Sequence, residues 1–178
     1  APIFKRKVLD YNGNAVPWDD KAMGEVYVRG PWIATSYIDE PRSAESFIDG
    51  WWKSGDIASI NQDGVMKLVD RAKDLIKSGG EWISSVDLEN SLMAHEALRE
   101  ATVVGMPHDK WLERPIAFIV ARGSERPSED ALRQHLLNAG FAKWWLPDRL
   151  VYLDQIPKTG VGKFNKRLLR EQLDELLK

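Results

Sequence analysis

The groups best suited to chemistry in this chain are charged side chains held beside glycines. Pro157-Lys-Thr-Gly-Val-Gly-Lys163 sets a lysine at the end of a Gly-rich turn, after a strand pattern and before a helical one. Such a loop can deliver an ammonium to a distant anion. It equally suits a solvated lysine in a surface turn, and the heptad alone does not separate the two. It is not a Walker A loop, which needs glycine where this chain has Pro157 and Ser or Thr where it has Phe164.

Two earlier segments carry further candidates. Trp52-Lys-Ser-Gly-Asp56 puts a carboxylate directly after a glycine. That group can accept two hydrogen bonds at once from the vicinal hydroxyls of a sugar, or it can simply organise a turn. Asp70-Arg-Ala-Lys-Asp-Leu-Ile-Lys-Ser-Gly-Gly-Glu81 combines Arg71 with two lysines and a Gly79-Gly80 pair. An arginine fork suits ribose or phosphate oxygens, and the glycines let an extended ligand approach the backbone. The same residues also describe a charged edge hairpin whose lysines deter strand pairing.

The elements that must position these groups fall into two modules. In the first, Glu25–Arg29 reads as a strand, and 56–60 with 65–69 reads as a hairpin across Asn61-Gln-Asp-Gly64. Pro41–Phe47 has room for one helical turn or two. Beyond Asp70-Arg71, helix and strand patterns alternate. A tight hairpin is predicted around Gly79-Gly80, then a helix opened by Ser84-x-x-Asp87 and running to about His95. Continuous apolar runs at 101–106 and 116–121 read as buried strands. A helix starts at Pro127-Ser128 with Leu132, Leu136 and Leu137 on one face. A strand follows at 150–153, and Asn165 caps a last helix striped by Leu169, Leu173 and Leu176. The expected fold class is α+β: a β-rich subdomain over 1–70, followed by a compact domain over 71–178 with helices packed on a small sheet.

Composition narrows the function. The 178 residues, with 43% hydrophobic and 29% charged side chains, match an ordinary soluble globular protein. A net charge of −2 gives no electrostatic reason to expect nucleic acid or an anionic membrane as partner. There is no cysteine, and His95, His108 and His135 are scattered, so no metal site is expected and surface or structural roles are assigned to the histidines. No apolar run reaches transmembrane length. The N-terminal Ala-Pro-Ile-Phe-Lys-Arg-Lys lacks the apolar stretch of a signal peptide, which makes the cytoplasm the expected location. Most of the eight tryptophans are expected in core or interdomain packing.

Five segments in order resemble the adenylate-forming superfamily of acyl- and aryl-CoA synthetases, luciferases and peptide-synthetase adenylation domains. They are Gly24–Gly30 with Tyr37, Trp52–Asp56, Asp70-Arg71 through Gly80-Glu81, Leu146-Pro147, and Pro157–Lys163. Lys77–Ser85 and Ala142–Pro147 look most like the medium-chain fatty-acyl-CoA synthetases. The resemblance implies activation of a carboxylic acid by ATP to an acyl-adenylate, then transfer of the acyl group to coenzyme A. It implies that Asp56 and Arg71 hold the ribose of ATP and that Lys73 is a hinge. Gly79, Gly80, Glu81 and Trp82 then line the CoA tunnel, and Lys163 bridges the carboxylate and α-phosphate. Aryl-CoA ligases, peptide-synthetase adenylation domains and a non-catalytic module of the same fold are the alternatives.

The departures bear on completeness. Ser36-Tyr37 replaces the usual Gly-Tyr. The superfamily's phosphate loop, the Thr-Glu pair that positions Mg²⁺ and most of the acyl pocket have no counterpart here, so these ligands are expected upstream. The expectation is a C-terminal portion that works with a missing N-terminal domain and is inactive alone.

Overall fold

The computed structural model describes residues 3–38, 41 and 43–177. The chain is α+β and divides into two compact units, Ala1–Lys73 and Asp74–Lys178.

The first unit holds β1 (Lys5–Leu9), β2 (Gly24–Arg29), the single turn α1 (Ser43–Ser46), β3 (Phe47–Ile48), β4 (Trp51–Ile60) and β5 (Met66–Arg71). They form a five-stranded antiparallel sheet in the order β1-β2-β4-β3, with β5 also on β4. The Asn61 side chain organises the β4–β5 turn by accepting from the N–H groups of Asp63 and Val65. Val8, Val16, Val26, Ala58 and Ile60 make the core of this unit. β1 has no counterpart in the sequence expectation because Lys5-Arg-Lys7 hides an edge strand in which only Val8 is buried. β4 begins at Trp51 and not at Asp56, because Trp51 and Trp52 pair with β3. Of the helical turns expected over Pro41–Phe47, one forms, and Arg42 lies outside the described residues, as do Ala1 and Pro2 of the N-terminal segment.

The second unit runs β6 (Ile76–Ser78), β7 (Glu81–Ile83), α2 (Ser85–Met93), β8 (Leu98–His108), β9 (Leu112–Ala121), α3 (Glu129–Asn138), a 3-10 turn (Lys143–Trp145), β10 (Arg149–Tyr152), α4 (Lys166–Glu171) and α5 (Leu173–Leu176). β9 pairs with β8 antiparallel, with β10 parallel and with β6 at Ser78–Leu112. Side chains alternate across this sheet. Val103, Ala117 and Ile119 join the helical residues Leu88, Leu92, Leu132 and Leu136 on one face. Val104, Ile116, Phe118 and Val120 join Ile156, Leu169 and Leu173 on the other. Burial on both faces explains why these strands read as unbroken apolar runs. Ser84, Ser128 and Asn165 cap the three main helices, accepting from Asp87, Ala131 and Leu168 N–H groups. The last helix is split at Gln172.

One expectation changes, that for tryptophan. Most tryptophans lie outside the cores: Trp18, Trp32, Trp111 and Trp144 are exposed, and the other four are half-buried, with Trp145 packed against the core of the second unit. An indole with a polar edge is well suited to the border between apolar surface and water, and aliphatic and Phe side chains fill the cores instead. His95 and His135, distant in sequence, meet edge to face at 5.1 Å, with His135 Nε2 at 2.8 Å from the Ser91 carbonyl.

Candidate functional site

In the first unit, strand register makes Asp56 and Arg71 direct cross-strand neighbours on β4 and β5. The Arg71 Nη1 donates to Asp56 Oδ1. Ala72 N–H closes the end of the ladder onto the Gly55 carbonyl at 2.9 Å. The guanidinium is 58% exposed and the carboxylate 30%. An ion pair this open contributes only about 0.2–1 kcal/mol to stability. What it offers instead is an anion and a fork of donors side by side, both open to solvent. Lys73 is exposed, in the turn that ends this unit. The unit therefore runs past residue 70, because Asp70 and Arg71 complete the β4–β5 ladder.

In the second unit, Gly79 and Gly80 form the β6–β7 hairpin turn with φ of +62° and +85°. Two positive φ values in sequence are what a two-residue hairpin of this twist demands. Gly79 is doubly required, since a Cβ there would meet the Trp111 ring at 2.9 Å. Its N–H also donates to the Trp111 carbonyl at 2.9 Å. Beside the turn lies a cavity of about 540 Å³, lined among others by Gly79, Glu81, Trp111, Arg114 and Trp144. Gly80 and half-buried Trp82 belong to the same hairpin.

Arg114 builds this cavity. Its guanidinium donates to Ser78 Oγ at 3.1 Å, to the Trp144 carbonyl at 2.7 Å and to the Leu146 carbonyl at 3.2 Å. Nε and Nη2 both reach Asp148 Oδ1, at 3.0 and 2.8 Å. One arginine thus joins the Gly79 hairpin, the 3-10 turn and the start of β10. Sequence reasoning missed Trp111 and Arg114. Arg114 interrupts the polar start of an otherwise apolar strand, which was the available signal.

Lys163 lies on the loop between β10 and α4. The loop is a small hairpin: Lys158 bridges Phe164, Asn165 N–H donates to the Pro157 carbonyl at 2.8 Å, and Thr159 N–H donates to the Lys163 carbonyl at 2.7 Å. Gly162 takes φ +80° at its tip. Lys163 is exposed, and its ammonium makes no ion pair among the described residues. The lysines on either side of it differ: Lys158 pairs with Glu100 at 2.8 Å, and Lys166 with Glu89 at 2.7 Å. Among the described residues, no three or more His, Cys, Asp or Glu side chains gather where they could hold a metal ion, and no helix is long and apolar enough to cross a membrane.

Residues 87–163 match the family of the AMP-binding enzyme C-terminal domain. That stretch is an AMP-binding enzyme C-terminal domain. The chain is 53% identical over 173 residues to a long-chain-fatty-acid–CoA ligase of Thermus thermophilus, covering 96% of this chain and 32% of that protein. It is 37% identical over 172 residues to a medium-chain-fatty-acid–CoA ligase of Ectopseudomonas oleovorans, covering 96% and 31%. Among solved structures, ATP-bound MatB from Rhodopseudomonas palustris superposes with a TM-score of 0.82 at 26% identity, covering 99% of this chain and 35% of that one. The chain therefore spans about a third of the length of the relatives it matches.

Proposed function

We propose that the protein is an AMP-forming fatty-acyl-CoA ligase, which activates a fatty acid with ATP to an acyl-adenylate and passes the acyl group to coenzyme A. In this reading Asp56 accepts the ribose hydroxyls of ATP and Arg71 donates to the same sugar. Lys163 supplies positive charge where the carboxylate and the α-phosphate meet. The Gly79-Gly80 turn, with Glu81 and Trp82, borders the path of the pantetheine arm, and the Trp111–Trp144 cavity offers apolar walls beside it. Lys73 is the hinge about which the second unit reorients between the half-reactions. Residues 1–73 supply the last subdomain of the large domain, and 74–178 the mobile domain.

One observation carries the reading: on a hairpin loop held by backbone hydrogen bonds, Lys163 makes no ion pair among the described residues, while Lys158 and Lys166 on either side each pair with a glutamate. Bringing a carboxylate to ATP opposes two anions, and a preorganised cation lowers that barrier electrostatically. The similarity to fatty-acid–CoA ligases supports the reaction class and leaves the chain length of the acid open between long and medium. Chemistry of this kind on ATP uses Mg²⁺. The described residues offer no cluster to hold it, so no step is assigned to a metal on this chain.

The test is Lys163→Ala in the whole protein, with the two half-reactions assayed separately. Acyl-adenylate formation should fall about 10²–10³-fold, the usual effect of removing one preorganised electrostatic contact. Thioester formation from supplied acyl-adenylate should stay near the parental rate, because the thiol attacks an acyl group whose carboxylate charge was already lost in forming the adenylate. Equal loss in both steps would count against this role for Lys163.

A further inference from the structure

Lys166 occupies a position that local rules oppose. It is the first residue of α4, where the helix dipole disfavours a cation, and that first turn has no acidic residue to compensate. Its ammonium is also largely withdrawn from water, with the side chain 13% exposed and its partner Glu89 10% exposed. A withdrawn ion pair is weak as a source of stability, and losing one partner leaves the other charge uncompensated. The arrangement is nevertheless complete. Lys166 Nζ donates to Glu89 Oε1 and Ser85 Oγ, each at 2.7 Å. The same Glu89 oxygen accepts from Thr102 Oγ1 at 3.0 Å and from Val103 N–H at 2.7 Å.

What the network holds is the arm that carries Lys163. Between Lys163 and Lys166 stand only Phe164, bridged to Lys158 and packed on the core beside Ile156 and Leu169, and Asn165, bonded to the Pro157 carbonyl. Lys158 in turn is tied to Glu100 of β8. Both arms of the loop are therefore anchored by lysine–carboxylate pairs, and the withdrawn one belongs to the arm nearest Lys163. We infer that the Glu89–Lys166 pair is the positioning element of Lys163, fixing its loop to α2 and β8 so that the ammonium is presented in one place. The inference rests on the adenylation role proposed for Lys163. Misplacing a reacting group by an ångström can cost about 10²-fold in rate, so a firmly anchored arm has a direct consequence for the reaction.

The experiment compares Glu89→Gln, Glu89→Asp, Lys166→Met and Lys166→Arg in the whole protein, below their melting temperatures. Glu89→Gln keeps the acceptor for Val103 and removes the charge. Its adenylation kcat should fall roughly 10- to 100-fold, with KM for ATP and the thioester half-reaction unchanged. Glu89→Asp should show a smaller loss of the same kind, and Lys166→Arg should recover most of the activity that Lys166→Met loses. In a Lys163→Ala background, Glu89→Gln should cause no further loss, since groups acting as one unit are not additive. If Lys163→Ala leaves adenylation intact, the role of Lys163 fails and this inference with it. If Lys163→Ala disables adenylation while the Glu89 and Lys166 variants match the parent, or slow both half-reactions alike, the positioning role alone is overturned.

Discussion

The two units handle charge and sheet burial in opposite ways. In the first, the candidate groups sit on neighbouring strands, and Asp56 and Arg71 satisfy each other through ladder register. In the second, Lys163 stands on a loop outside the sheet, with its flanking lysines paired and itself bare among the described residues. The sheets differ in the same sense. The first gathers one modest core and leaves Val65 and Leu68 of its last hairpin exposed, whereas the second is packed on both faces. A binding pair for a sugar gains from rigid strand register. A cation needed in only one of two steps gains from a loop on a separate body that can be presented and withdrawn.

The sharpest test of the packing contrast is a pair of truncations. Phe118 is fully buried between the β8–β9 sheet and the α4–α5 side, so Phe118→Ala should destabilise the second unit by about 3–5 kcal/mol. Leu68, 63% exposed on β5, should tolerate alanine within about 0.5 kcal/mol. Urea denaturation followed by tryptophan fluorescence reads both. A Leu68→Ala loss as large as that of Phe118→Ala would mean the first sheet is covered on both faces too.

A smaller effect probes the turn. Gly79→Ala forces a side chain into positive φ and against Trp111, at about 1–3 kcal/mol of strain. Thioester formation should suffer more than adenylation, the reverse of Lys163→Ala. Loss of adenylation alone would break the division of labour within the second unit.

The smallest structural effect belongs to the first unit. Arg71→Ala should shift stability by no more than about 0.2–1 kcal/mol because the pair is exposed. The same substitution should raise KM for ATP by about tenfold, the scale of one lost hydrogen bond from a charged donor. A large drop in melting temperature with unchanged ATP dependence would make the pair a structural clasp and erase the contrast.

Much of this organisation was legible in the sequence because it depends on residues close in the chain. Gly79-Gly80 predicts its own turn, Ser84 and Asn165 predict the starts of their helices, and the runs at 101–106 and 116–121 predict strands buried on both sides. The α+β class follows from those patterns together. The candidate lysine, aspartate and arginine were visible as motif residues, although their neighbours were not. Strand β1 was hidden by its charges, because edge pairing with β2 and not its own pattern makes it a strand.

Only the tertiary structure decided which charges meet. That Asp56 touches Arg71 depends on a bulged register between β4 and β5. That Arg114 ties a hairpin to a 3-10 turn, and that Glu89 reaches Lys166, depends on elements far apart in the chain folding onto one sheet. Local propensity acts over a few residues, whereas an ion pair needs two side chains within about 4 Å. A sequence can therefore name a lysine that is able to do chemistry. Which of its lysines pair with carboxylates is decided by where those carboxylates fall once the sheet has formed.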